Sequence, residues 1–192
     1  MADGYQIRNQ NEIHFITLTV VGWIDLFVSP ECRKIIIQNL DYCQKKKGLT
    51  IFAFVIMSNH IHLIVQARDG FLLSDILRDF KSYTAKQIIA AIQNMKERRK
   101  QWVDHTLRYF ARYNKRNALY QIWNQNNHPI EMESPKFIIQ KLFYIHNNPV
   151  KALIVDNPED YIYSSARNYI GKQGILNVEI LEVGNDIGYI SL

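Results

Sequence analysis

The apolar positions of the chain follow two periods. Residues 12–21 are rich in β-branched and aromatic types with apolar groups on both faces, which predicts a central strand ended by Gly22. Ser29-Pro30-Glu31 then opens a helix, with a capping hydroxyl, a proline at the first helical position and an acid in the first turn. Cys32, Ile35, Ile36, Asn39, Leu40 and Cys43 follow at helical spacing. Lys45, Lys46 and Lys47 fill the last turn, where cations complement the helix dipole, and Gly48 closes it. Strand-like runs return at 50–57 and 60–67. The Ser58-Asn59 turn signal between them predicts a hairpin. Leu73, Ile76, Phe80, Tyr83, Ile88, Ala91, Ile92 and Met95 mark a long amphipathic helix over 72–97, running on into a basic segment.

Residues 118–132 predict a fourth strand, interrupted by a polar turn at Asn126-Asn127. Ser134-Pro135 repeats the cap-plus-proline start, and that helix is expected to run to Asn148, with Pro149 just beyond it. It carries two stripes. Ile138, Leu142 and Ile145 form a core stripe, whereas Phe137, Lys141, Tyr144 and Asn148 form a second, chemically capable one. Residues 149–170 read as irregular structure, and 175–183 as a short edge strand. The order is β-α-β-β-α-β-α, an α+β chain.

The 192 residues are 47% hydrophobic and 21% charged, enough for one domain with an ordinary core. No apolar run reaches eighteen residues, so no membrane partner is expected. The N-terminus lacks a basic-then-apolar signal, and the expected location is cytoplasmic. Cys32 and Cys43 lie eleven residues apart on one predicted helix, too far along its axis for a disulfide. They are expected to be reduced core residues.

Charge changes the picture more by place than by size. The net charge is +5, and eight of the 23 basic residues, against two of the 18 acidic ones, lie between Lys96 and Arg116. These are Lys96, Arg98, Arg99, Lys100, Arg108, Arg112, Lys115 and Arg116. Trp102, Tyr109, Phe110 and Tyr113 interleave with them. Rings among cations suit single-stranded nucleic acid, whose bases stack while its phosphates pair with the charges. The rival reading is a solvated amphipathic helix with its rings turned inward.

His60 and His62 carry the chemistry. Two apart in a strand, they project from one face beside each other. Burying adjacent imidazoles is costly unless their lone pairs are used, by a divalent metal or by hydrogen bonds within the core. Spacing alone leaves both open. His128, before a proline, is expected to shape a loop and His146 to be structural, while His14 and His105 carry no signal.

Three blocks combine with this pair: Met57-Ser58-Asn59-His60-Ile61-His62-Leu63-Ile64, then Ile122-Trp123-Asn124-Gln125 with His128-Pro129, then Tyr144-Ile145-His146-Asn147-Asn148-Pro149-Val150-Lys151-Ala152 followed by Pro158-Glu159-Asp160-Tyr161 and Ser164-Ser165. Together they resemble the single-tyrosine HUH (His-hydrophobic-His) transposases, most closely the branch associated with repetitive extragenic palindromes (REP). The resemblance spans residues 12–170. It implies a central antiparallel sheet with packed helices, similar to a ferredoxin-like or RNA-recognition domain. The transposase domain would be 1–170, with a basic helical elaboration at 96–117 and a C-terminal extension at 171–192. It also implies His60, His62 and Asn148 as metal ligands, Mg2+ or Mn2+ as the cofactor, and Tyr144 as the nucleophile. The role of the 96–117 segment does not transfer from the family; on composition alone its eight basic residues are candidate DNA contacts, together with Lys141 on the Tyr144 face.

The implied activity is nicking and rejoining of single-stranded DNA at hairpin or palindromic sites through a 5′-phosphotyrosine. Relatives differ in working as homodimers or monomers, so both states stay open. Tyr83 is the rival nucleophile, read as core from its apolar neighbours. The rival function is a non-catalytic RNA-recognition-type module that binds single strands.

Overall fold

The computed structural model describes residues 7–94, 99–113, 119–125 and 128–182. The elements run β1 (His14–Thr19), two short 3-10 turns (Val21–Trp23 and Leu26–Val28), α1 (Pro30–Lys46), β2 (Leu49–Ile56), β3 (His60–Ala67), α2 (Leu73–Asn94), α3 (Lys100–Arg112), β4 (Ile130–Glu131) and α4 (Pro135–Lys151). A 3-10 turn at Pro158–Asp160 and α5 (Ala166–Tyr169) follow. The four strands form one antiparallel sheet in the order β2-β3-β1-β4. A helix crosses over between β1 and β2, and helices again separate β3 from β4, which is the ferredoxin-like arrangement of a split β-α-β.

The period-2 pattern sorts the strand residues onto two faces. Ile16, Leu18, Phe54, Ile61, Leu63 and Val65 form one core cluster with Ile36 and Leu40 of α1, Ile76, Phe80 and Ile88 of α2, and Val103 and Leu107 of α3. On the other face Phe15, Ala53, Val55 and Ile64 pack with Leu142 and Ile145 of α4, and with Tyr161 and Leu181. The pairing Thr17↔His62 and Thr19↔His60 sets the central register, and it turns both histidines toward the α4 side. Cys32 and Cys43 are both buried and are not joined in a disulfide. Among the described residues no helix is long and apolar enough to cross a membrane.

The structure corrects several expected boundaries. α2 is described to Asn94, the expected helix end at 97 lies outside the described residues, and the basic segment carries a helix, α3, from Lys100 to Arg112. Among the described residues, β4 itself is the two residues Ile130 and Glu131 paired with β1, with an isolated bridge Val20↔Trp123 upstream. Beside that bridge Asn124 N donates to Thr19 O of β1 at 2.8 Å, while its carbonyl accepts from Lys81 of α2 at 2.7 Å. The expected turn at Asn126-Asn127 lies outside the described residues. Pro149 sits inside α4, which runs on to Lys151, and the backbone N–H of Ala152 closes it on the carbonyl of Asn148.

Residues 175–182 form no strand. One backbone bond, from Glu179 N to Ile51 O at 2.9 Å, ties them to β2 beside its register shift. Val183 lies outside the described residues. Both serine-proline helix starts stand, but only Ser134 caps through its side chain, accepting from Phe137 N at 3.3 Å. Ser29 is the cap of α1 without a side-chain bond.

Candidate active site

His60 and His62 begin β3, an interior strand, and their rings lie 4.7 Å apart. Strand alternation places them together, and neighbouring side chains orient them. His62 is 5% exposed, stacks on Phe15 at 5.3 Å, and holds Thr17 Oγ1 at 2.9 Å from its Nδ1. His60 Nδ1 lies 2.8 Å from Asn59 Oδ1. The orientation of that amide is set in turn, because Asn59 Nδ2 donates to Asp25 Oδ1 at 3.0 Å and to Trp23 O at 3.4 Å. With the amide oxygen facing His60, Nδ1 is the protonated nitrogen and Nε2 carries the lone pair. Thr17 permits the same tautomer at His62.

Burial holds both rings neutral. It lowers the pKa of His60. His62 is lowered to about 3, first by burial and then by the charges of His60 and Lys141. Neutral imidazoles whose Nδ1 atoms are already engaged are what a divalent cation needs, and the oxygen partners are the usual outer support of such ligands. The residues therefore fit a metal held by two Nε2 atoms. Among the described residues no cluster of three or more His, Cys, Asp or Glu side chains is placed to hold one.

Tyr144 reaches the pair from α4. Its hydroxyl lies 3.4 Å from His62 Nε2, and the two rings are 5.1 Å apart. Tyr144 is 38% exposed, so the residue sits at the rim of the site. Phe15 meets its ring edge-on at 6.1 Å. Lys141 Nζ lies 4.7 Å from the Phe15 centroid and 5.6 Å from that of Tyr144. Lys151 Nζ is 5.8 Å from the Tyr144 ring on α4. The phenol thus sits beside His62, which adjoins His60, with the ammonium groups of Lys141 and Lys151 both near its ring. Asn148, one turn after Tyr144, donates to the Tyr144 carbonyl at 3.5 Å.

The rest of the expected set divides. Tyr83 is 59% exposed and not core. It extends from α2, whose buried side chains pack on the sheet face opposite the histidines, so it is far from this chemistry. It lines a cavity of about 530 Å³ between α1 and α2. Lys96, Arg98, Lys115 and Arg116 lie outside the described residues. Lys100 donates to the carbonyl of Gln93. Arg108 pairs with Asp104 at 2.8 Å and with Tyr120, so its charge is engaged within the protein. Arg99 lies 5.8 Å from the Trp102 centroid, and Arg112 is exposed. The aromatics split between the two readings: Trp102, Tyr109 and Tyr113 face solvent, while Phe110 packs against the core. His146 is buried with Nε2 2.8 Å from Ser165 Oγ, and His128 takes a left-handed φ of 41° before Pro129.

Sequence reasoning missed Thr17, Asn59, Asp25, Trp23 and Lys151. Asn59 was legible only as a turn residue. Thr17 becomes a partner of His62 through strand register, which a single sequence does not state.

Comparison with known proteins adds a family. A family model described as "Transposase IS200 like" matches residues 10–123, a span that includes His60 and His62 and stops short of α4. Among solved structures, the chain is similar to a REP-associated tyrosine transposase bound to a REP hairpin. The TM-score is 0.61 at 18% identity, over 98% of this chain and 99% of that one. It also aligns with a candidate transposase from Deinococcus radiodurans, with a TM-score of 0.43 at 14% identity, over 74% of this chain and 95% of that one. No curated protein matches.

Proposed function

The chain belongs to the IS200-like transposases, a family of DNA transposases, and from that premise we propose that it nicks and rejoins single-stranded DNA through Tyr144. One observation carries the reading. In a single chain, the phenol of α4 lies 3.4 Å from an imidazole of the central sheet whose neighbour is a second imidazole. A phosphodiester placed there meets a nucleophile, two neutral nitrogen ligands and two ammonium groups at once.

Free tyrosine, with a pKa of about 10, is a weak nucleophile at neutral pH, and a phosphodiester repels an approaching anion. A divalent cation, Mg2+ or Mn2+, would polarise a non-bridging phosphate oxygen and offset the charge that develops. His60 and His62 would hold it through Nε2, with the Asn148 amide as a third ligand. The Tyr144 hydroxyl, 3.4 Å from His62 Nε2, is the group placed to meet the phosphorus. Lys141 and Lys151 flank the ring, where their charge meets the phosphate.

The bond formed is from Tyr144 Oη to phosphorus on the 5′ side. The bond broken is from phosphorus to the 3′-oxygen, which leaves as a hydroxyl carrying the equivalent of the phenol proton. The phosphotyrosine conserves the energy of the broken linkage, so a 3′-hydroxyl reverses the step without a nucleotide cofactor. The hairpin in the structurally similar transposase supports hairpin DNA as the substrate here. Because one chain supplies both the phenol and the imidazoles, a monomer suffices for cleavage.

The test is a denaturing gel of labelled single-stranded hairpins taken from the flanks of the gene. A covalent adduct is expected only with Mg2+ or Mn2+, lost in Tyr144→Phe and in His62→Ala. Tight binding with no adduct under either metal would instead make the chain a single-strand binding module.

A further inference from the structure

Gly22 and Trp23 both adopt left-handed backbone, with φ of 62° and 54°. Glycine does this freely, but for a bulky side chain the conformation is strained and persists only where the surroundings impose it. Three contacts impose it here. Trp23 N donates to Val20 O at 3.2 Å, inside a segment that Val21 N ties to Ile122 O at 2.9 Å. Asn59, the residue that orients His60, donates to Trp23 O. Phe110 of α3 presses on Gly22 so closely that a Cβ there would lie 2.6 Å from the ring.

The outcome of this clamping is unusual. It does not bury the indole but holds it out, 64% exposed, with its ring 6.1 Å from that of His60 and edge-on to it. Trp123, by contrast, is buried in the core, where its indole N–H donates to Thr84. A large apolar ring fixed in solvent beside the ligand pair is a platform, and unpaired bases have the flat faces that stack on one. Tyr109 touches Phe110 at 5.6 Å and Tyr113 at 5.1 Å, and both tyrosines are exposed. The aromatic surface therefore continues from this turn onto α3.

Resting on the function proposed above, we infer that Trp23 stacks on an unpaired base flanking the cleaved phosphate and so sets which linkage faces Tyr144. The base beside that phosphate is one sugar away from it, as Trp23 is one ring away from His60. Recognition by stacking reads the presence of a base more than its identity. Trp23 therefore fixes position along the strand, not sequence.

The experiment uses the full chain and the hairpin oligonucleotides of the adduct assay. Abasic residues are placed singly at three positions on either side of the cleaved linkage. For the wild type, one abasic position is expected to slow adduct formation at least about tenfold, within the range of base–aromatic stacking. Trp23→Gly suits the left-handed position and is expected to slow the intact substrate by a similar factor, and to be indifferent to that abasic position. Trp23→Phe should recover most of the rate. A purely structural role would leave Trp23→Gly as sensitive to the abasic position as the wild type, and that result overturns the inference, as does a wild-type rate in Trp23→Gly.

Stacking is also read without chemistry, in the Tyr144→Phe background. 2-Aminopurine at the sensitive position should be quenched on binding when Trp23 is present and not in Trp23→Gly. If the wild type gives no adduct on any hairpin, the function proposed above fails, while a 2-aminopurine series spanning the single strand still decides whether Trp23 stacks.

Discussion

The support given to each imidazole has a measurable weight. Asn59 links His60 to Asp25 and to the Trp23 carbonyl, so Asn59→Ala frees the ring to rotate and to exchange tautomers. Removing such outer partners weakens metal sites by about 10- to 100-fold. Asn59→Ala is accordingly expected to raise the Mn2+ concentration for half-maximal adduct by about that factor, with the rate at saturating metal changed much less. Thr17→Val should act in the same way through His62. A loss of rate at saturating Mn2+ with an unchanged midpoint would show that these residues do something other than hold the ligands. The absence of a carboxylate from the candidate ligand set adds a further expectation. A neutral set leaves the charge of the ion uncompensated until a phosphate arrives, so Mn2+ should bind more tightly in the presence of hairpin DNA, read by calorimetry with Tyr144→Phe.

At the scale of elements, α4 is fixed by its inner face. His146 is fully buried with Ser165 Oγ at 2.8 Å, and the same hydroxyl accepts from Phe54 N at 3.0 Å, which ties the segment after α4 to β2. Ser165→Ala leaves those buried groups without it and should cost about 1–3 kcal/mol, read by urea denaturation. Burial lowers the pKa of His146 from 6.5 to about 3, so protonation favours the unfolded chain. Its contribution is complete above pH 6.5 and is lost as the pH falls from 6.5 toward 3, at up to about 1.4 kcal/mol per pH unit. His146→Gln is expected to be less stable at pH 7, with a shallower decline in stability between pH 6.5 and 4.

Much of this element was legible in the sequence. Ser134-Pro135 marks its start, and the two stripes separate the face that meets Leu142 and Ile145's neighbours from the face that presents Tyr144. The hairpin and its paired histidines were legible because a period of two admits only one way to put alternating residues on a face. Long-range choices were not. Pro149 has no N–H to give the Ile145 carbonyl, yet the turn around it still closes through Ala152 N on Asn148 O. The pairing of this part of the chain with β1 is split between Asn124, whose N–H meets Thr19 O, and the two residues of β4, and no local period marks that split. Tyr83 was misread because α2 is wide enough to leave one side to solvent between apolar neighbours. Trp23 gave no signal, since its conformation is imposed by Asn59 and Phe110, which are distant in sequence.

In the whole molecule, the final segment belongs to both cores. Leu176 packs with the α1–α2 cluster and Leu181 with the α4 cluster, so the described part of the C-terminal extension touches the cores on both faces of the sheet. Ending the chain at residue 170 strips both leucines from their clusters. This is expected to lower stability by several kcal/mol, at about 1.5–3 kcal/mol for each buried side chain, seen as an earlier thermal transition.

The phenol of Tyr144 and the imidazoles it faces come from one polypeptide, and Tyr83 is turned away on the far side of the sheet. On the function proposed here, each molecule is armed once. While one strand end is tethered to it, it has no free hydroxyl with which to seize a second. Moving a DNA segment, which requires two ends to be freed and exchanged, then demands either two molecules acting on one piece of DNA or one molecule discharged by the first 3′-hydroxyl before it strikes again. The stoichiometry of protein to tethered DNA at the peak of the reaction distinguishes these two routes.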